Sequence, residues 1–177
     1  MAKTNDELLA ILSQFALEEK VVSAEPFGNG HINDTLKVTT DKGEIKYVLQ
    51  RINHLVFTNV EMLQHNIHVV TTHIREKLEA KGETDIDRKV LTFLPTKDGK
   101  YYYFDGDSYW RVCLFIPRSK SYEEVTPELS YEAGKAFGDF QLMLSDLPEG
   151  SLGETIPNFH NMEFRLQQFH EAVEANA

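Results

Sequence analysis

The chain has a single cysteine. Cys113 sits inside the apolar run "RVCLFI", with no second thiol for a disulfide or a thiolate metal site, so it reads as a small buried hydrophobe. Long apolar runs are missing too. Nothing approaches the roughly 20 residues that cross a bilayer, and no early stretch joins a basic start to an apolar segment. The expected location is therefore cytoplasmic. Basic residues are scarce only in the last third: residues 1–120 carry 17 acidic and 16 basic side chains, whereas residues 121–177 carry 11 and 2. A nucleic acid or an anionic membrane would be repelled there, and the shift near residue 120 marks a boundary. Repeats and low-complexity tracts are absent. What remains is 177 residues, 41% hydrophobic and 26% charged, enough to close one core and begin a second.

Leu8, Leu9, Leu12, Phe15 and Ala16 recur at helical spacing and predict an opening helix over residues 6–19. "KVVSAEPFG", "INDTLKVTT" and "IKYVLQRIN" then read as a three-strand antiparallel meander, turning at the glycine pair and at "TDKGE". Thr58 and Glu61 match a capping box. Val60, Leu63, Ile67, Val70, Ile74 and Leu78 continue it as the stripe of a helix ending at Gly82. "KVLTFLPT", "YYYFD" and "SYWRVCLFI" read as three more strands. Thr126-Pro127 starts a helix through Leu129, Ala133, Phe137, Phe140, Leu144 and Leu147. A final helix carries Leu166, Phe169 and Val173. The prediction is an α+β fold: an antiparallel sheet of five or six strands with one packed helix, then the first helices of a helical part.

"FGNGHINDT" opens two readings. Gly28 and Gly30 lack a Cβ and suit an ordinary tight hairpin, and they equally suit a loop whose amides approach a phosphate. It is not a Walker A loop, because no G-x-x-x-x-G-K-[ST] occurs, and Asn33 stands where G-x-G-x-x-G requires glycine. Its surroundings favour the second reading. Arg51 is a cation on the next strand but one, a capped helix follows, and "WRVCLFIPRS" runs past Pro117 as a hinge into the helical part. That order is the layout of a kinase small lobe.

"GNGHINDT", "YVLQRIN" and "FHN" resemble the N-acetylhexosamine 1-kinase group of the aminoglycoside phosphotransferase and choline kinase superfamily, and the resemblance covers residues 1–177. Related sequences sometimes carry the label mucin desulfatase, but the sulfatase motif C-x-P-x-R is missing, since Leu114 and Phe115 follow Cys113. The resemblance implies a kinase-like N-terminal lobe over 1–117 and the start of a helical C-terminal lobe over 118–177. It implies ATP as the nucleotide. Gly28, Asn29, Gly30, His31 and Ile32 are similar to the loop covering its phosphates, with Asn33 and Thr35 orienting that loop. Arg51 takes the place of the strand cation, where a planar charged fork suits phosphate oxygens. Leu114 and Ile116 resemble the backbone pair that reads adenine, with Phe115 and Val48 as apolar wall.

A kinase helix offers a glutamate to the strand cation. Glu61 is the only carboxylate in the first three turns and the capping box already employs it, leaving Gln64, His65 or His68 open. Phosphoryl transfer also needs an orienting carboxylate and magnesium ligands. The family supplies them from H-x-D and D-x-D segments of the large lobe, and no histidine here is followed two residues later by aspartate. Asp85-Ile86-Asp87 and Asp105-Gly106-Asp107 read as strand turns. No catalytic residue and no metal ligand is expected within 1–177, and Mg2+ would be held by the missing lobe. The chain is expected to be the inactive amino-terminal part of a small-molecule phosphotransferase acting on the anomeric hydroxyl of N-acetylhexosamines. The alternatives are a non-catalytic binding module, or a phosphotransferase for choline, homoserine or an aminoglycoside. Its unfinished helical part is expected to promote self-association.

Overall fold

The computed structural model describes residues 3–28, 30–122 and 124–176. A reciprocal capping box opens α1 (Asn5–Leu12), with the Thr4 hydroxyl accepting from the Glu7 amide and the Glu7 carboxylate accepting from the Thr4 amide. The helix is shorter than the predicted 6–19. The chain leaves it at Ser13, and Phe15 makes an isolated bridge with Thr96 while burying its ring.

The predicted meander is present as β1 (Val21–Pro26), β2 (Asp34–Thr40) and β3 (Ile45–Ile52). The three later strands are β4 (Phe93–Leu94), β5 (Tyr103–Phe104) and β6 (Tyr109–Leu114). All pair antiparallel in one six-stranded sheet of order β1-β2-β3-β6-β4, with β5 also on β6. β6 is central because its apolar run has partners along both edges.

Alternation sorts the strand side chains onto two faces. Ala24, Val38, Tyr47, Leu49, Trp110 and Val112 close the main core against Leu8, Ile11, Leu12 and Phe15 of the α1 segment. Each fully buried Leu or Val contributes about 1.5–3 kcal/mol. The register puts Thr35 opposite Gln50, Gln50 opposite Arg111, and Val48 opposite Cys113. These residues occupy the other face.

Helix α2 (Val60–Ala80) is capped by Asn59, whose side-chain oxygen accepts from the Met62 amide at 2.9 Å. This corrects the expected Thr58–Glu61 box. Asn53 turns the chain first, its carbonyl accepting from the amides of Val56 and Phe57, which brings Asn59 to the helix entrance. Ile74 and Leu78 bury against Val90. Asp85–Asp87, expected as a strand turn, instead leads into a single 3-10 turn, Ile86–Arg88.

Thr126 caps α3 (Pro127–Leu144), with proline at the first position as predicted. Helix α4 is Met162–Glu174. Neither helix buries a residue, and Phe137 and Phe169 are 71% and 62% exposed. Polar contacts tie this region to α2. Lys77 Nζ donates to the Met143 carbonyl at 2.7 Å, and Asn66 bonds both backbone groups of Gly153 at 2.6 and 3.0 Å. Among the described residues, no helix is long and apolar enough to cross a membrane.

Candidate functional site

Between β1 and β2 the hairpin closes with the Phe27 amide donating to the Thr35 carbonyl at 2.8 Å. Gly28 has φ +79°, the left-handed region that side chains disfavour. Gly30 is restricted differently, since a Cβ there would lie 3.3 Å from the Asn33 carbonyl oxygen. Asn33 in turn accepts from the Asn53 amide at 2.9 Å and fastens the loop to the end of β3. His31 and Ile32 are exposed at the tip. Asn29 lies outside the described residues.

Two hollows meet at this hairpin. The first, about 460 Å³, is lined by Gly28, Gly30, Asn33 and Thr35 together with Lys3 and Trp110 on the α1 side. The second, about 340 Å³, is lined by Val48, Leu114, Phe115 and Ile116, with Phe93 and Cys113. Phe27 lines both. Its ring meets Phe115 edge to face, centroids 5.8 Å apart, so the hairpin stem leans over the 114–116 edge. The residues predicted to form one site are thus divided between two adjoining hollows. The amides of Leu114 and Phe115 are taken by the carbonyls of Thr92 and Lys46.

A chain of polar side chains includes two that line the second hollow, Gln50 and Arg111. Thr35 Oγ1 accepts from Gln50 Nε2 at 3.0 Å, and Gln50 Oε1 accepts from Arg111 Nε at 2.9 Å. Arg111 Nη1 then donates to Gln64 Oε1 at 3.0 Å, and Gln64 Nε2 donates to the Tyr101 carbonyl. Arginine can only donate, so both glutamine oxygens must face it, and each amide's remaining N–H₂ has its own acceptor. The guanidinium lies 5.2 Å from the Phe93 ring centroid. Burial pushes Arg111 below its ordinary pKa. Burial also pushes the Cys113 thiol up to about 11, opposed by the neighbouring Arg111 charge; the thiol is therefore protonated at neutral pH.

Arg51 lies on the opposite face of the sheet from Val48 and Gln50. Position 51 alternates with Gln50 and falls on the face of Tyr47 and Leu49, where it is paired in register with Asp34 and Trp110. Its Nε donates to Asp34 Oδ2 at 2.6 Å, and both side chains are about half exposed. The charge is already neutralised in solvent. The ion pair of Arg51 is thus with Asp34 and not with Glu61. Of the alternatives on α2, Gln64 reaches a strand arginine, but that arginine is Arg111; His65 bonds the Ser151 carbonyl and His68 stacks on Tyr101.

Arg111 and Gln50 are the residues that sequence reading passed over, whereas Gln64 was among its alternatives for the helix partner of a strand cation. One signal was present: a lone charge inside the apolar strand "YWRVCLFI" demands a buried partner. No group of three or more His, Cys, Asp or Glu able to hold a metal occurs among the described residues. No family model matches the chain.

Proposed function

We propose that the hollow beside residues 114–116 takes the purine of ATP, and that the chain is the nucleotide-binding part of a small-molecule phosphotransferase. One observation carries this reading: Phe27, edge to face with Phe115, lines a hollow together with Val48, Ile116 and the cation of Arg111. Its volume of about 340 Å³ lies within the range of about 300–1,000 Å³ usual for small-molecule sites. Apolar walls suit an aromatic base, and a charged side chain in the lining suits an anionic tail. The resemblance of "GNGHINDT" and "YVLQRIN" extends the proposal to phosphorylation of an N-acetylhexosamine at its anomeric hydroxyl, in the cytoplasm where ATP is abundant. Such transfer needs magnesium and an orienting carboxylate from beyond the lobe described here.

A second reading, a kinase-fold module that binds nucleotide without turnover, draws on one feature. No carboxylate lines the hollow among the described residues.

Calorimetric titration of the chain with adenosine and ATP tests the binding claim. Binding of both is expected, and its loss in Val48→Trp, where an indole fills the slot, is the specific control. If neither ligand bound at millimolar concentration, or Val48→Trp bound as well as the parent, the proposal would fail. Incubating the chain with ATP, magnesium and an N-acetylhexosamine, with sugar phosphate as the readout, separates catalysis from binding alone.

A further inference from the structure

Arg111 is the only basic side chain lining the 114–116 hollow among the described residues. It is largely removed from water, yet it takes part in none of the ion pairs formed among those residues. Its acceptors are two neutral amide oxygens, from Gln50 and Gln64. That choice of partner matters. A carboxylate at either position would cancel the charge, whereas an amide oxygen supplies the hydrogen bond and leaves the charge in place.

The acceptors are themselves held. Gln50 is anchored to Thr35 at the foot of the glycine hairpin, and Gln64 to the Tyr101 carbonyl. Three elements, β3, β6 and α2, therefore fix one guanidinium before any ligand arrives. Two of its five N–H donors are engaged by these amides, leaving three for an anion. A preorganised, uncancelled cation in the lining of a largely apolar hollow is the arrangement that oxyanion binding requires.

We infer that Arg111, held by Gln50 and Gln64, is the side chain that grips the phosphate of a nucleotide in this hollow. The inference rests on the nucleotide reading above and names the residue that meets the anion. Arg51, neutralised by Asp34 on the other face, has no part in it.

The test compares ATP with adenosine, by calorimetry, in the parent chain, Arg111→Gln and Gln50→Glu. The glutamate is nearly isosteric with Gln50, still accepts from Arg111 Nε, and can take a hydrogen bond from the Thr35 hydroxyl. It places a negative charge against the guanidinium. Either variant is expected to lower the ratio of ATP to adenosine affinity about tenfold to a hundredfold, the range for a lost charge-assisted hydrogen bond. Should circular dichroism show Arg111→Gln to be unfolded, Gln50→Glu decides alone. A ratio unchanged in the folded variants overturns the role of Arg111 and leaves the nucleotide reading standing. If the parent binds tripolyphosphate but not adenosine, and Gln50→Glu abolishes that binding, the anion role of Arg111 stands and the nucleotide reading falls.

Discussion

Gln50 and Arg51 are adjacent in β3 and serve opposite faces of the sheet, Gln50 holding Arg111 in the lining of the 114–116 hollow and Arg51 holding Asp34 in solvent. The consequence is an asymmetry between two arginines that sequence alone ranks the other way. Arg51→Ala removes an exposed ion pair, and such pairs contribute about 0–1 kcal/mol. Stability is expected to fall by no more than about 1 kcal/mol, about fivefold in equilibrium terms, and ATP affinity to stay within about twofold of the parent. A loss of ATP affinity approaching that of Gln50→Glu would return Arg51 to the site.

Asp105 ties the β5–β6 turn to the amino terminus. Its carboxylate accepts from the amides of Asp107 and Ser108 at 3.0 and 2.8 Å, and from Trp110 Nε1 at 2.8 Å, with Lys3 Nζ 2.9 Å away. Burial pushes this carboxyl upward, but the Ser108 amide, Lys3, the Asp107 amide and the Trp110 indole together hold it well below its ordinary 3.8. A depressed carboxyl contributes fully above its unfolded value and loses that contribution as pH falls through its folded value. Acid unfolding, followed by fluorescence of Trp110, is therefore expected to steepen below about pH 4. Asp105→Asn should cost about 1–3 kcal/mol at neutral pH and flatten the acid limb. An identical pH profile in the variant would remove Asp105 from that account.

The two capping candidates of α2 give a clean pair of variants. Asn59→Ala removes the side chain that accepts from the Met62 amide and should cost about 1 kcal/mol. Thr58→Ala removes no cap and should be near neutral. Urea unfolding of both variants checks the order, and a larger effect at Thr58 would reverse it.

At Gly28 the cost is in the backbone alone. No heavy atom lies within 4 Å of a Cβ built there, yet φ is +79°. Gly28→Ala is expected to lower stability by about 1–2 kcal/mol through left-handed strain. A melting temperature equal to the parent's would show that the hairpin relaxes without penalty.

The exposed apolar side chains of α3 and α4, including Tyr131, Phe137, Leu142 and Phe169, form surface that water solvates poorly. Light scattering is expected to show association at high concentration, reduced in Phe137→Glu with Phe169→Glu. A monomer at every concentration would contradict this.

Much of the fold was legible in linear order. Period-two runs bounded by glycine turns marked β1, β2 and β3, and a threonine-proline pair marked the start of α3, because turns and caps act over a few neighbouring residues. Local signals misplaced the end of α1 and the cap of α2 where distant contacts prevailed: Phe15 bridges Thr96, and Asn53 sets the approach to Asn59. The glycine hairpin and the edge at 114–116 were both marked by sequence. That Phe27 joins them was not.

By itself, then, the order of residues determined which segments are strands and helices, because periodicity and turn chemistry are local. Only the tertiary structure decided which arginine faces the hollow. A strand reverses sides at every residue, so the face that Gln50 shares with Arg111 is set by its pairing register and by where α2 comes to rest.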